Sequence, residues 1–145
     1  MNMRLRRLRR LTRSDVVLLC RAARMLLRIR LSLWIRSWNQ LASPARGTRR
    51  IRAVKPGVDR LEWAVLVVGR LIPRTTCLAQ ALTLHRLLSR YGYPSNVQFG
   101  IRHADGRFAA HAWVEHEADA LLSTPSEIAR YVHLFSWPPT QPDLP

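Results

Sequence analysis

The chain has 145 residues, two cysteines and a formal charge of +15, which bounds it to one domain with the length for a single buried core. Cys20 and Cys77 make no disulfide framework. With no Cys-x-x-Cys pair they offer neither a zinc site nor a redox couple, and a reducing cytoplasm would keep Cys77 free. The charge is lopsided: 17 of the 24 basic residues and 2 of the 9 acidic ones fall in residues 1–60, so that stretch carries the whole +15.

Residues 1–13 (MNMRLRRLRRLTR) form the densest basic run. A secretory signal needs a clean apolar stretch after such a start, and here residues 16–20 are cut off by Arg21 and Arg24. No segment reaches the ~20 apolar residues of a membrane helix; the longest candidate, residues 61–72, holds Glu62 and Arg70. The expected location is the cytoplasm, with the N-terminal arginines available for peripheral contact with anionic lipid. Nucleic-acid binding is not expected, because no recognition motif or aromatic stacking platform accompanies the charge.

Ser14 is placed to cap a long helix from residue 15 to about residue 41, with Asp15 in the favourable first turn. Arg21, Arg24, Arg28, Ser32 and Arg36 make a polar stripe beside an apolar face of Leu18, Ala22, Met25, Leu26, Ile29 and Leu33. Cys20, in mid-helix, is expected to be inert core. Ser43-Pro44-Ala45-Arg46-Gly47-Thr48 breaks the pattern and reads as a linker. A second helix starts near Pro56-Gly57 and runs to about Leu71, where Pro73 stops it. Thr76 then caps a third helix, with Cys77 at its first position, Leu78, Ala81, Leu82, His85 and Leu88 at helical spacing, and Gly92 at its end.

Past Pro94 the period changes to two. Val97, Phe99 and Ile101 mark a strand, Asp105-Gly106 a hairpin turn, and residues 108–115 the return strand. That return strand carries His111, Trp113 and Glu115 on one face and Phe108, Ala110, Ala112 and Val114 on the other. Residues 121–123 read as a short further strand. Thr124-Pro125-Ser126-Glu127 fits a capping box for a last helix to about Phe135. His103 and His116 flank turns and are expected to be solvated. The fold class is α+β, helices first and a small antiparallel sheet after them, with the cysteine helix packed on the sheet that carries His111.

A cysteine at a helix start and a histidine 34 residues on, in a strand, are the two parts that thiol chemistry requires. The thiolate is the nucleophile; a helix N-terminus favours negative charge and an imidazole takes the proton. No metal-ligand spacing links the five histidines, and no cofactor is implied.

Cys77-Leu78-Ala79-Gln80-Ala81-Leu82-Thr83-Leu84-His85-Arg86-Leu87-Leu88, then Gly92, Phe99-Gly100-Ile101-Arg102 and His111-Ala112-Trp113-Val114-Glu115 together resemble the leader peptidases of lasso-peptide biosynthesis. These correspond to the C-terminal half of the microcin-processing protease and have a transglutaminase-like, papain-related core. The resemblance runs over residues 54–125, and Leu31-Ser32-Leu33-Trp34 is similar to a further feature of that family. The chain is expected to divide into four regions: a basic arm (1–13), an amphipathic helix and linker (14–52), the core that the resemblance identifies as a cysteine peptidase (53–136) and a Pro-rich tail (137–145). The implied reaction is removal of the leader from a precursor peptide, so that a separate lasso cyclase can close the macrolactam. With no segment left over for leader recognition, a separate recognition protein is the implied partner.

The family triad is Cys-His-Asp, and the resemblance places Ser123 at the position of the acid, beside Cys77 as nucleophile and His111 as base. Asp119 sits at the turn, roughly 20 Å along the strand from His111. Ser123, Thr124 or Glu127 is nearer the cross-strand position. Two other classes of function fit the sequence. One is a non-catalytic scaffold that presents the precursor to its cyclase, motivated by Ser123. The other is a basic membrane-peripheral or nucleic-acid module, motivated by the N-terminal arginines.

Overall fold

A computed structural model of the chain describes residues 11–35 and 54–138. The expected linker at residues 43–48, the helix end near Leu41, most of the basic arm and most of the Pro-rich tail lie outside the described residues. Helix α1 spans Arg13–Ile35, α2 Val58–Leu71 and α3 Cys77–Arg90. Strands β1 (Asn96–Ala104), β2 (Arg107–His116) and β3 (Asp119–Leu121) follow, then a single-turn helix α4 (Pro125–Ile128) and strand β4 (Val132–Trp137). The four strands form one antiparallel sheet in the order β3-β2-β1-β4.

Helix α1 buries Leu18, Ala22, Met25, Leu26 and Ile29, residues that recur on one face at the 3.6-residue period. Its cap is Thr12, not Ser14. The Asp15 amide bonds the Thr12 hydroxyl, and the Asp15 carboxylate accepts from the Thr12 amide at 3.0 Å. This is a reciprocal cap in which Asp15 occupies the third helical position. The Thr12 amide, with its hydroxyl and Arg60, holds the Asp15 carboxyl below its ordinary value, against burial. Arg60 of α2 ion-pairs with Asp15 and so ties the first two helices together. Cys20 is exposed rather than core, because it falls outside the arc of α1 that meets α2 and α3.

The third helix is buried on nearly every side, with Ala79, Ala81, Leu82, Thr83, Leu84, His85, Leu87 and Leu88 all inside. It touches α1 and α2 on one flank and the β1–β2 face on the other. Each fully buried Leu or Val here contributes about 1.5–3 kcal/mol. Polar groups in that helix find internal partners: the Thr83 hydroxyl donates to the Ala79 carbonyl at 2.6 Å, and His85 Nδ1 lies 3.0 Å from Ser95 Oγ. At its C-terminus the Tyr93 amide bonds the Leu88 carbonyl and the Gly92 amide the Ser89 carbonyl. Gly92 adopts φ +78, the left-handed turn that such a cap requires and glycine adopts without strain.

Two tight turns join the sheet, at Asp105-Gly106 and at Glu117-Ala118, all four residues having positive φ, which suits the right-handed twist of the paired strands. Val97, Phe99, Ala112, Val114 and Leu121 face the helices. Three expectations fail here. The short strand is Asp119–Leu121, and Ser123 lies beyond it, because Leu122 takes φ +70 and breaks the ladder. The last helix has one turn only. Its Thr124–Glu127 capping box forms as expected, but Val132–Trp137 becomes an edge strand on β1, since pairing there supplies a hydrogen-bonded neighbour for β1 that a helix would not. His116 is buried rather than solvated, with Nδ1 against the Pro94 carbonyl and its ring against Tyr93. His103 is exposed, as expected.

Burial, with Arg86 nearby, pushes His85 down to about 4 despite its Ser95 contact. In the unfolded chain the same imidazole protonates near 6.5. Its neutral form therefore supports the fold fully above pH 6.5, and that support is lost as pH falls towards 4, by about 3 kcal/mol. Urea denaturation at pH 7 and pH 4.5 should show wild type losing more stability on acidification than His85→Leu.

Candidate active site

The segment leading into α3 fixes the cysteine. The Thr75 hydroxyl donates to the Ile72 carbonyl at 2.7 Å, and the Thr76 hydroxyl accepts from the Ala79 amide at 3.2 Å. Thr76 has the extended backbone of an N-cap, so Cys77 is the first helical residue. Amides of that first turn have no intrahelical acceptor and favour negative charge placed beside them. Cys77 is a free, half-buried thiol packed against the core.

His111 is carried by β2, opposite Gly100 of β1. Its Nε2 lies 2.6 Å from the Ser123 hydroxyl. The structure thus brings together two of the three expected site residues directly and selects Ser123 from the three side chains near the cross-strand position. Thr124 caps α4 instead, and Asp119 pairs with His116 at the far end of the strand. With Nε2 engaged by Ser123, Nδ1 is the nitrogen left for a thiol. The imidazole is not hydrogen-bonded to Cys77 among the described residues.

Cys77 starts the helix that covers the Ala112 and Val114 face of β2, and His111 lies on the other face of that strand. His85 of α3 meets Ser95 and Trp137, the latter paired with Val97, and Cys77 lies about 12 Å back along the helix from there. Val114 pairs with Val97, and His111 lies about 10 Å back along β2. Strand β3 ends at the level of Val114. The β2 edge at His111 therefore has no strand neighbour on that side among the described residues.

Burial pushes the His111 imidazole below its ordinary value, while the Glu127 carboxylate pulls the other way. Glu127 is held below the usual carboxylate range by the Thr124 amide and hydroxyl, so it is ionised wherever His111 titrates.

Three residues that position the site were missed by sequence reasoning. Glu62 of α2 accepts the Leu122 amide at 2.8 Å, fixing the left-handed residue that precedes Ser123; in the sequence it reads only as a charge interrupting an apolar run. Tyr131, assigned by sequence to a helix, lies with its ring 5.2 Å from that of His111. Gly100 is the third: a Cβ there would meet Tyr131 Cβ at 2.9 Å and the Trp113 ring at 3.0 Å. Trp113 itself is buried over Gly100, among His111 and His133. It does not pack on the cysteine helix, because it shares the His111 face of the pleat and its neighbours Ala112 and Val114 take the helix side.

A model of the transglutaminase-like superfamily matches residues 16–136, from the first turns of α1 into β4. Members of that superfamily are typically cysteine peptidases or transglutaminases, both of which work by acyl transfer to a cysteine sulfur. No curated protein and no solved structure matches the chain.

Gly100→Ala should destabilise the fold by about 1–3 kcal/mol, as overpacking does, read as a lower denaturant midpoint. In NMR titrations His111 should protonate below the ordinary imidazole range. Glu127→Gln removes the charge that favours imidazolium, so the His111 midpoint should move lower still; an unmoved or raised midpoint would contradict the electrostatics described.

Proposed function

The chain belongs to the transglutaminase-like superfamily, and on that footing we propose that it is a cysteine peptidase with Cys77 as nucleophile and His111 as its base. The observation that carries this reading is the Thr76-capped cysteine starting the helix that packs on β2, with His111 held on β2 by Ser123. In the proposed reaction Nδ1 of His111 takes the thiol proton and the sulfur attacks the amide carbonyl carbon. The carbon–nitrogen bond then breaks, and the departing amine receives the proton from the imidazolium. Water, deprotonated by His111, attacks the thioester; the acid leaves and the thiol is restored. The Cys77 amide, unpaired at the helix start, is one donor to the oxyanion.

The substrate proposed is the leader-bearing precursor of a lasso peptide. What supports it is the run Cys77–Leu88 together with His111-Ala112-Trp113-Val114-Glu115, which resemble the leader peptidases of that pathway. On this reading the enzyme works with a separate leader-recognition protein and hands the freed core peptide to a cyclase. Among the described residues no helix is long and apolar enough to cross a membrane.

Ser123 favours one rival, a scaffold that holds the precursor without cutting it. A neutral hydroxyl orients the imidazole but does not offset imidazolium charge as a carboxylate does, and loss of the acid costs a serine-protease triad about 10⁴ in rate. Leader release followed by mass spectrometry, with recognition protein and precursor present, separates the two. Wild type should cleave and Cys77→Ala should not; equal release by both rules out the thiol mechanism. Ser123→Asp should cleave faster, by on the order of tenfold or more, with a shifted pH profile, because a carboxylate at Nε2 favours imidazolium. No change would show that this position does not orient His111.

A further inference from the structure

At the other end of α3 from Cys77, a cleft of about 340 Å³ opens between the start of α1, the lead-in to α2 and Tyr91. Its size falls within the range of ligand-binding pockets. Three arginines line it, Arg13, Arg21 and Arg60, and they differ in state. The Arg60 charge is met by Asp15. The guanidinium of Arg21 is fixed by a 2.9 Å bond to the buried Tyr91 hydroxyl, a neutral partner that leaves its charge uncompensated. Arg13 has no ion-pair partner among the described residues. Ser14 and Tyr91 also line it, and the aliphatic part of the wall is Val17, Leu18, Val54 and Pro56, with Val17 and Val54 exposed.

We infer that this cleft is a docking site for an acidic peptide segment whose carboxylates alternate with aliphatic side chains. Two unneutralised guanidiniums, eight residues or about 12 Å apart along one helix, match carboxylates spaced along an extended strand. Guanidinium binds carboxylate in a fixed, two-pronged geometry, and holding Arg21 against Tyr91 removes part of the ordering cost of that contact. The aliphatic walls suit the intervening side chains. A flat anionic bilayer would leave those walls unfilled, which favours a peptide over a lipid surface. The cleft lies about 20 Å from Cys77, the length of α3, so occupancy there leaves the candidate active site open. It does not depend on the proposed chemistry.

The test is binding of the full-length protein to a fluorescein-labelled peptide, Asp-Leu-Glu-Leu-Glu, with Asn-Leu-Gln-Leu-Gln as the neutral control. Arg13→Gln with Arg21→Gln is compared with Arg24→Gln with Arg28→Gln, a pair on the same helix that removes equal charge from exposed positions outside the cleft. The expected result is binding of the acidic peptide only, weakened at least tenfold by the cleft pair and less than twofold by the control pair. Tyr91→Phe, which keeps the ring but frees Arg21, should weaken it severalfold. Equal loss with both arginine pairs means diffuse attraction to a basic surface and overturns the inference, as does absence of binding or equal binding of the neutral peptide. Phosphatidylserine vesicles that depend on the cleft pair while the peptide does not would assign the site to lipid and overturn it too. Thermal midpoints of each variant identify any that has lost its fold; for these, Arg13→Lys with Arg21→Lys, which keeps charge but not the fork, replaces the glutamine pair and should bind more weakly than wild type.

Discussion

The burial of α3 is the constraint on which the other elements depend. Eight of its fourteen residues are inside, so it has no free face. Helices α1 and α2 must cover one flank and the sheet the other. A helix enclosed in this way has little freedom to slide or rotate, since interiors are packed like solids. Its two ends are therefore fixed points: Cys77 with its Thr76 cap at one, and Tyr91 with the Gly92 turn at the other. Both the candidate active site and the arginine cleft are built on these ends.

The candidate site at the Cys77 end is shaped by backbone features as much as by side chains. Cys77 is the first helical residue because Thr76 ends the extended lead-in where it does. His111 meets Ser123 because Leu122 adopts a left-handed conformation that Glu62 holds from α2. A non-glycine residue in that region is costly unless its surroundings enforce it. The acceptor supplied by Glu62 is the enforcing contact, so a helix outside the site controls the geometry inside it. With a neutral hydroxyl, Ser123, as its hydrogen-bond partner, His111 has burial acting against its charge and the exposed Glu127 acting for it.

The basic N-terminal half is likewise not uniform once folded. Arg60 is consumed by Asp15, Arg21 is anchored to Tyr91, and Arg30 donates to the Pro73 carbonyl at 2.7 Å. Arginines that look equivalent in the sequence thus divide into those that tie elements together and those left without an ionic partner among the described residues. The same element that closes the core over α3 presents Arg13 and Arg21 at a cleft.

Much of this was legible in the residues alone. The caps at Thr76 and Thr124, the glycine turn at Gly92, the Asp105-Gly106 hairpin and the two faces of β2 are set by local chemistry: hydroxyls that accept helix amides, glycines in left-handed turns, and a side-chain period of two. What the tertiary structure decided involved partners distant in sequence. Residues up to about 135 look helical from the capping box before them, yet Val132–Trp137 pairs with β1, because an open sheet edge outweighs a weak local preference. Thr12 rather than Ser14 is the cap, bonding reciprocally with Asp15, which also meets Arg60 of the second helix. Trp113 was drawn away from the cysteine helix by the pleat, and Glu62 found its role sixty residues away at Leu122. Periodicity and capping act within a few residues and can be read from a string; pairing across a sheet and between helices is settled only when the chain closes on itself.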